Sequence, residues 1–133
     1  RKQTMYASKL VSLINLFIFI GVNVNGYSIS CGLRQCKGSN IVCPQEEACN
    51  VDCRDWFACQ DAIITCPDGN YDCTLTCRNV GACWGATIHG SQDETATGKL
   101  MVTTAHLQGT SGANSAKKSL KVNCPANGDC IVD

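Results

Sequence analysis

Cys49-Asn-Val-Asp-Cys53-Arg-Asp-Trp-Phe-Ala-Cys59-Gln-Asp-Ala-Ile-Ile64 is followed, 24 positions on, by Cys73-Thr-Leu-Thr-Cys77-Arg-Asn-Val-Gly-Ala-Cys83-Trp-Gly-Ala-Thr-Ile88. Three cysteines, Arg54/Arg78, Ala58/Ala82, Ala62/Ala86 and Ile64/Ile88 superpose at that offset. A fixed period in this range is the mark of a solenoid or an array. Within each copy the short runs alternate. Cys73, Leu75 and Cys77 share one face and Thr74 and Thr76 the other, while Ala62, Ile64 and Cys66 share a face of the next run. Period-two alternation with Thr, Val and Ile predicts strands. Strands that recur every 24 residues stack in parallel on their equivalents, about 4.8 Å apart. The expected fold is therefore all-β: a disulfide-rich parallel β-solenoid with coils of about 24 residues.

Working outward, the same unit enters part-way before Cys49. Cys36-Lys-Gly-Ser-Asn-Ile41-Val-Cys43-Pro44 has the spacing of Cys59-Gln-Asp-Ala-Ile-Ile64-Thr-Cys66-Pro67, and Cys31 precedes it slightly out of step with Cys53. After Ile88 the pattern changes. His89 to Asn123 contains no cysteine and is rich in Gly, Ser, Thr and Ala, a loop composition. It holds two strand-like runs, 99–107 and 119–124, with Leu120, Val122 and Cys124 alternating inward. These predict a coil without disulfides, with loops at 91–98 and 108–118. Cys124-Pro125 then restarts the unit in the register of Cys66-Pro67, so that Cys130 takes the place of Cys73; the alternative register matches Cys124-x5-Cys130 to Cys77-x5-Cys83, and the Cys-Pro step favours the first. The chain stops one position before the counterpart of Cys77, and it is expected to be C-terminally truncated.

The 12 cysteines among 133 residues signal a disulfide scaffold of an exported protein. Residues 1–26 supply the export signal: a basic start (Arg1, Lys2, Lys9), an apolar run from Leu10 to Val24, and a cleavage step after Gly26. That run is too short and too interrupted for a stable membrane span. The domain organisation expected is a signal peptide at 1–26 and a cysteine-rich solenoid at 27–133, with a cysteine-poor insertion at about 89–123. Residues 27–133 keep 8 of the 11 basic residues and all 11 acidic ones, a net charge of −3. No basic block remains to argue for nucleic acid or an anionic membrane.

The cysteines fall into four columns: Cys31, Cys53, Cys77; Cys36, Cys59, Cys83; Cys43, Cys66, Cys124; and Cys49, Cys73, Cys130. Pairing the first column with the second and the third with the fourth gives 31–36, 53–59, 77–83, 43–49, 66–73 and 124–130. Each such bond closes a loop of six to eight residues and contributes about 2–2.5 kcal/mol on a loop-entropy model. Bonds between stacked coils are the rival, because neighbouring coils bring Cα atoms within reach. Zinc is disfavoured, since zinc modules prefer paired Cys-x2–4-Cys knuckles. No Asp-x-Asp-x-Asp-Gly calcium loop is present. No cofactor, metal ligand set or catalytic residue can be named. His89 and His106 lack a neighbouring acid or nucleophile pattern, Arg54 and Arg78 read as a stacked turn pair, and Asp52, Asp55, Asp61, Asp68 and Asp72 are scattered. The candidate ligand face comprises Thr74, Thr76, Trp56 and Trp84: the threonines form one Thr-x-Thr pair, and exposed aromatics on a rigid ladder can stack on sugar rings, covering a thin core being the other reading of the aromatics.

The composite pattern Cys-Pro-x-x-Gly-x-x-Cys-x-Val/Leu-x-Cys-x-x-x-x-Ala-Cys-x-x-Ala-x-Ile covers Cys31 to Ile88 and Cys124 to Asp133. It resembles cysteine-rich tandem repeats of secreted or surface proteins of single-celled eukaryotes, a family of unknown function with no catalytic residues to carry over. Thr76-Cys77-x5-Cys83-x2-Ala86-Thr87 has the spacing of coils in beetle antifreeze proteins. That resemblance implies a disulfide-clipped solenoid. Ice binding in that family uses Thr-x-Thr on every coil, whereas here Asn50/Asp52 and Ile131/Asp133 stand at the positions of Thr74/Thr76. The function expected is that of a secreted, extracellular or cell-surface, non-enzymatic structural, adhesive or surface-coat protein. Its expected partners are an extracellular polymer, a glycan or copies of itself. A carbohydrate- or ice-binding solenoid and a fragment of a polysaccharide-active β-helix enzyme are the alternatives.

Overall fold

A computed structural model describes residues 26–104 and 120–133. The signal-peptide segment, apart from Gly26, lies outside the described residues, as do His106 and the loop expected at 108–118. No helix occurs among the described residues. Nine short strands follow in order: β1 (Tyr27–Cys31), β2 (Asn40–Val42), β3 (Cys49–Cys53), β4 (Ile63–Thr65), β5 (Cys73–Cys77), β6 (Thr87–His89), β7 (Leu100–Thr103), β8 (Lys121–Asn123) and β9 (Cys130–Val132). Odd strands form one parallel sheet in the order β1-β3-β5-β7-β9, and even strands a second in the order β2-β4-β6-β8. The chain is a parallel β-solenoid whose walls take one strand each from every coil.

The register is that of the stacked columns. Cys49 pairs with Cys73 and Ile63 with Thr87, both 24 positions apart. The first coil is shorter, with Tyr27 opposite Cys49. Later coils are longer, with Cys73 opposite Leu100 and Thr87 opposite Lys121. The strands keep their pairing because the extra residues fall outside the paired segments. A slip of one residue within a strand would instead turn its whole inward set toward solvent.

Two apolar columns face each other across the interior. Ile29, Val51, Leu75, Val102 and Val132 line up on the odd-strand wall, and Ile41, Ile64, Ile88 and Val122 on the even-strand wall. Val51, Leu75, Val102, Ile64 and Ile88 are fully buried. Burying each such side chain contributes about 1.5–3 kcal/mol. The column members on the end rungs are more open, and Val132 is more than half exposed. Cys124 is exposed too, despite its expected inward position, because it lies on the last even rung.

Six disulfides clip the arcs: 31–36, 53–59 and 77–83 on one side, and 43–49, 66–73 and 124–130 on the other. All 12 cysteines are used, and none is free. The first set of arcs also stacks through backbone hydrogen bonds. Cys36 N–H donates to the Ala58 carbonyl at 2.9 Å and Cys59 N–H to the Ala82 carbonyl at 2.7 Å. Ala58, Ala62, Ala82 and Ala86 are fully buried beneath these arcs, where a larger side chain would hold the coils apart. Arg34, Phe57 and Gly81 occupy one arc position, and all three have positive φ, 54°, 57° and 70°. The Phe57 ring then covers Gly81, where an added Cβ would come within 2.9 Å of it.

Within the cysteine-free stretch, β7 and β8 take their places in the two walls. Leu100 stands in the column of Cys49, Cys73 and Cys130, and Thr104 follows Thr103 where Cys77 follows Thr76. Leu100 is 1% exposed, so its side chain fills the space that a disulfide fills in the coils around it. The loop at 91–98 is tied to the coil before it. Ser91 Oγ donates to Asp68 Oδ1 at 3.0 Å, Thr97 N–H to Asn70 Oδ1 at 3.0 Å, and Lys99 N–H to Asp72 Oδ1 at 3.0 Å. Gly98 lies so close to the Tyr71 carbonyl oxygen that no side chain could replace its hydrogen.

Candidate functional site

Alternation places the remaining residues of the odd strands outward. They form two columns on one face. Ser28, Asn50, Thr74, Met101 and Ile131 make the first, and Ser30, Asp52, Thr76 and Thr103 the second. Thr74 and Thr76 therefore share this face, as expected. The rung beyond them carries Met101 and Thr103, not Ile131, because β7 intervenes between β5 and β9. A hydroxyl pair on adjacent strands of one column, Thr76 and Thr103, is thus created by a coil with no cysteines.

Asp52 is the unusual member. It points outward from the middle of β3, yet its side chain is only 10% exposed. Two arginines cover it. Arg54 Nε donates to Asp52 Oδ2 at 2.9 Å, and Arg78 Nε donates to Oδ1 at 2.6 Å. Arg54 reaches back along its own strand direction, and Arg78 reaches across from the next coil. Burial by itself would push the Asp52 carboxyl up. The hydrogen bonds from Arg78 and Arg54, with their positive charges, outweigh it and hold the group below the usual carboxylate range. The same carboxylate raises Arg78 above its ordinary value. The two guanidinium side chains stay 61% and 51% exposed. Asn79 Nδ2 donates to the Arg54 carbonyl at 2.9 Å and secures the turn from which Arg78 emerges.

The sequence pattern groups Arg54 with Arg78 and leaves Asp52 among scattered acids. The signal that joins them is readable afterwards: Asp52 and Arg54 are two apart, hence on one face, and the 24-residue offset sets Arg78 beside Arg54. Ser30 and Thr76 flank Asp52 in its column, and Thr103 separates Thr76 from the next acid there, Asp133, so alignment of adjacent coils conceals it.

The aromatic residues lie on the arcs. Trp56 is 55% and Trp84 46% exposed. The ring stacked with Trp84 is Phe57, with centroids 6.3 Å apart and planes at 27°, and the Arg34 guanidinium sits 5.9 Å from the Phe57 centroid. Phe57 is thus the partner that links Trp84 to the coil below. On the even-strand face, His89 Nδ1 and Asn123 Nδ2 approach to 2.9 Å, a rung-to-rung polar contact.

The sulfurs of Cys43, Cys49 and Cys73 lie within 4.8 Å of one another. All three are consumed in the 43–49 and 66–73 bonds, and only a thiolate is an effective ligand. Their convergence reflects two disulfides stacked on adjacent coils. A crevice between Pro67, Tyr71, Ser91 and Pro125 has room for roughly one water. The six disulfides are of the kind found in proteins that mature in oxidising compartments. No family model matches the chain, and no significant match was found among curated proteins or solved structures.

Proposed function

We propose that this is a secreted or cell-surface, non-enzymatic ladder protein that adheres to an extracellular polymer, a glycan or copies of itself. The observation that carries this reading is the five-stranded outer face, whose Ser, Asn and Thr side chains repeat at strand spacing on an unbroken parallel register. Strands about 4.8 Å apart present polar groups at a regular pitch, and the disulfide-clipped arcs keep that pitch rigid. Preorganisation matters for such contacts, because each group that is already fixed loses no further entropy on binding. A polymer offers many weak contacts in series, which suits a face without a deep pocket. Met101 beside Thr74 and Asp52 beneath Thr76 favour a sugar or protein polymer over ice.

The test uses oxidised protein spanning residues 27–133. Retention on cellulose, chitin and dextran matrices and sedimentation velocity over a hundredfold concentration range are measured together. Retention on at least one polymer, or concentration-dependent association, is expected. A monomer at every concentration that binds none of the matrices would refute the proposal.

A further inference from the structure

Asp52 engages only the Nε atom of each arginine. Among the described residues, no hydrogen bond engages the Nη atoms of Arg54 or Arg78. Two planar cations therefore stand on adjacent coils, held at one edge by a shared carboxylate and open at the other. Their positive charge exceeds that of their partner by one. Neither arginine is fully satisfied by one shared acid, since each guanidinium has five donors.

The surroundings suit an incoming anion. Gly32 occupies the coil position below Arg54 and adds no side chain there, since the Arg54 N–H bonds the Cys31 carbonyl. Asp55, next after Arg54, places a carboxylate within 3.5 Å of where a Cβ would stand at Gly32, a negative charge that the two guanidinium groups must outweigh. Beside the fork, Thr76 and Ser30 flank Asp52 in its column and offer hydroxyl donors on the same face. Buried Asp52 gives the pair its fixed placement, so the arginines lose little freedom when they bind. Paired guanidinium forks match the planar or tetrahedral oxygens of carboxylate and sulfate, which can take two N–H donors from one fork.

We infer that Arg54 and Arg78 form an oxyanion-binding fork, positioned by Asp52, that takes the sulfate or uronate group of an acidic glycan. This rests on the polymer-binding reading and names the chemistry of the partner. The net charge of −3 over residues 27–133 makes general attraction of polyanions weak, so recognition must come from this local pair. Arg54 and Arg78 are binding residues in this scheme, and Asp52 is a positioning residue.

Binding of dextran sulfate, alginate and neutral dextran to immobilised oxidised protein separates the possibilities. Dextran sulfate tests sulfate, alginate tests uronate, and neutral dextran is the uncharged reference. The wild type is expected to bind at least one acidic polymer at least tenfold more tightly than neutral dextran. Arg54→Gln/Arg78→Gln should remove that preference, and Arg54→Lys/Arg78→Lys should lose most of it although the charge is kept. Far-UV circular dichroism confirms the fold of each variant. If the glutamine pair does not fold, the lysine pair decides. Full retention of the preference by a folded double variant would overturn the inference, as would an equal loss in Lys37→Ala/Lys99→Ala. A wild type that is retained on a neutral matrix or self-associates, but has no acidic-polymer preference, would overturn this inference and leave the polymer-binding reading standing. Absence of both retention and association would remove both.

Discussion

Leu100→Ala tests whether packing replaces a covalent clip in the cysteine-free coil. Leu100 is 1% exposed and stands in a column with Tyr27, Cys49, Cys73 and Cys130. Truncating a buried Leu to Ala costs about 2–5 kcal/mol, according to how far the site collapses around the gap. Collapse is limited here by the 66–73 and 124–130 bonds on either side, so a loss of about 3 kcal/mol is expected. Such a loss corresponds to roughly a hundredfold rise in local opening. Native-state hydrogen exchange reads it directly. The reporters are the Cys73 amide, which donates to Lys99 O at 2.8 Å, the Leu100 amide, which donates to Asp129 O at 2.9 Å, and the Asp133 amide, which donates to Val102 O at 2.9 Å. These should exchange about 100-fold faster in the variant. The Cys49 amide, bonded to Asp72 O at 2.9 Å, lies between clipped arcs and should change little. Acceleration of less than threefold at the Leu100 amide would refute the packing argument. Equal acceleration at the Cys49 amide would show that the solenoid opens as one unit and that the clips do not confine the damage.

Reduction of all six disulfides should abolish the β-sheet circular dichroism at 25 °C. Six contributions of about 2–2.5 kcal/mol each approach or exceed the whole stability of a typical domain, about 5–15 kcal/mol; an intact spectrum in excess reductant would refute this. Asp52→Ala should destabilise the fold by about 1–2 kcal/mol in urea titrations, a figure held down by the exposure of both arginines. Asp52 has a depressed carboxyl in the folded protein, so its contribution is complete above the ordinary carboxylate range and fades as pH falls through the folded value. The wild-type advantage over Asp52→Ala should accordingly shrink below about pH 4, and an advantage that grows with acid would contradict the ion-pair assignment. Gly98→Ala should lower the thermal midpoint by several degrees, because its Cβ would meet the Tyr71 backbone, which a rotamer change cannot relieve; an unchanged midpoint would show that the loop yields freely.

The strands of the middle coils were legible in detail. Cys73-Thr-Leu-Thr-Cys77 reads as a strand with three inward residues, and β5 spans those same positions with Cys73, Leu75 and Cys77 buried. Spacing favoured the six arc bonds that form but left bonds between stacked coils as a rival, because stacking also brings cysteine sulfurs of neighbouring coils close together. The candidate face was legible only in part. Thr74 and Thr76 could be placed outward by parity. Their next neighbours could not, because Leu100 carries no mark that it belongs to a cysteine column.

Local alternation and a period near 24 residues determine by themselves that this chain is all-β, coiled and stacked in parallel, since both signals arise from backbone geometry that every coil shares. Two things were decided only by the tertiary structure. One is the continuity of the ladder through β7, where an apolar side chain occupies a disulfide's volume and packing, not residue identity, sets the register. The other is the Asp52–Arg54–Arg78 cluster, an interaction across coils between residues that occur together only once. A repeat pattern records what the coils have in common. A charge pair that forms between two unlike coils depends on their distance in space, and that distance exists only after the coils have stacked.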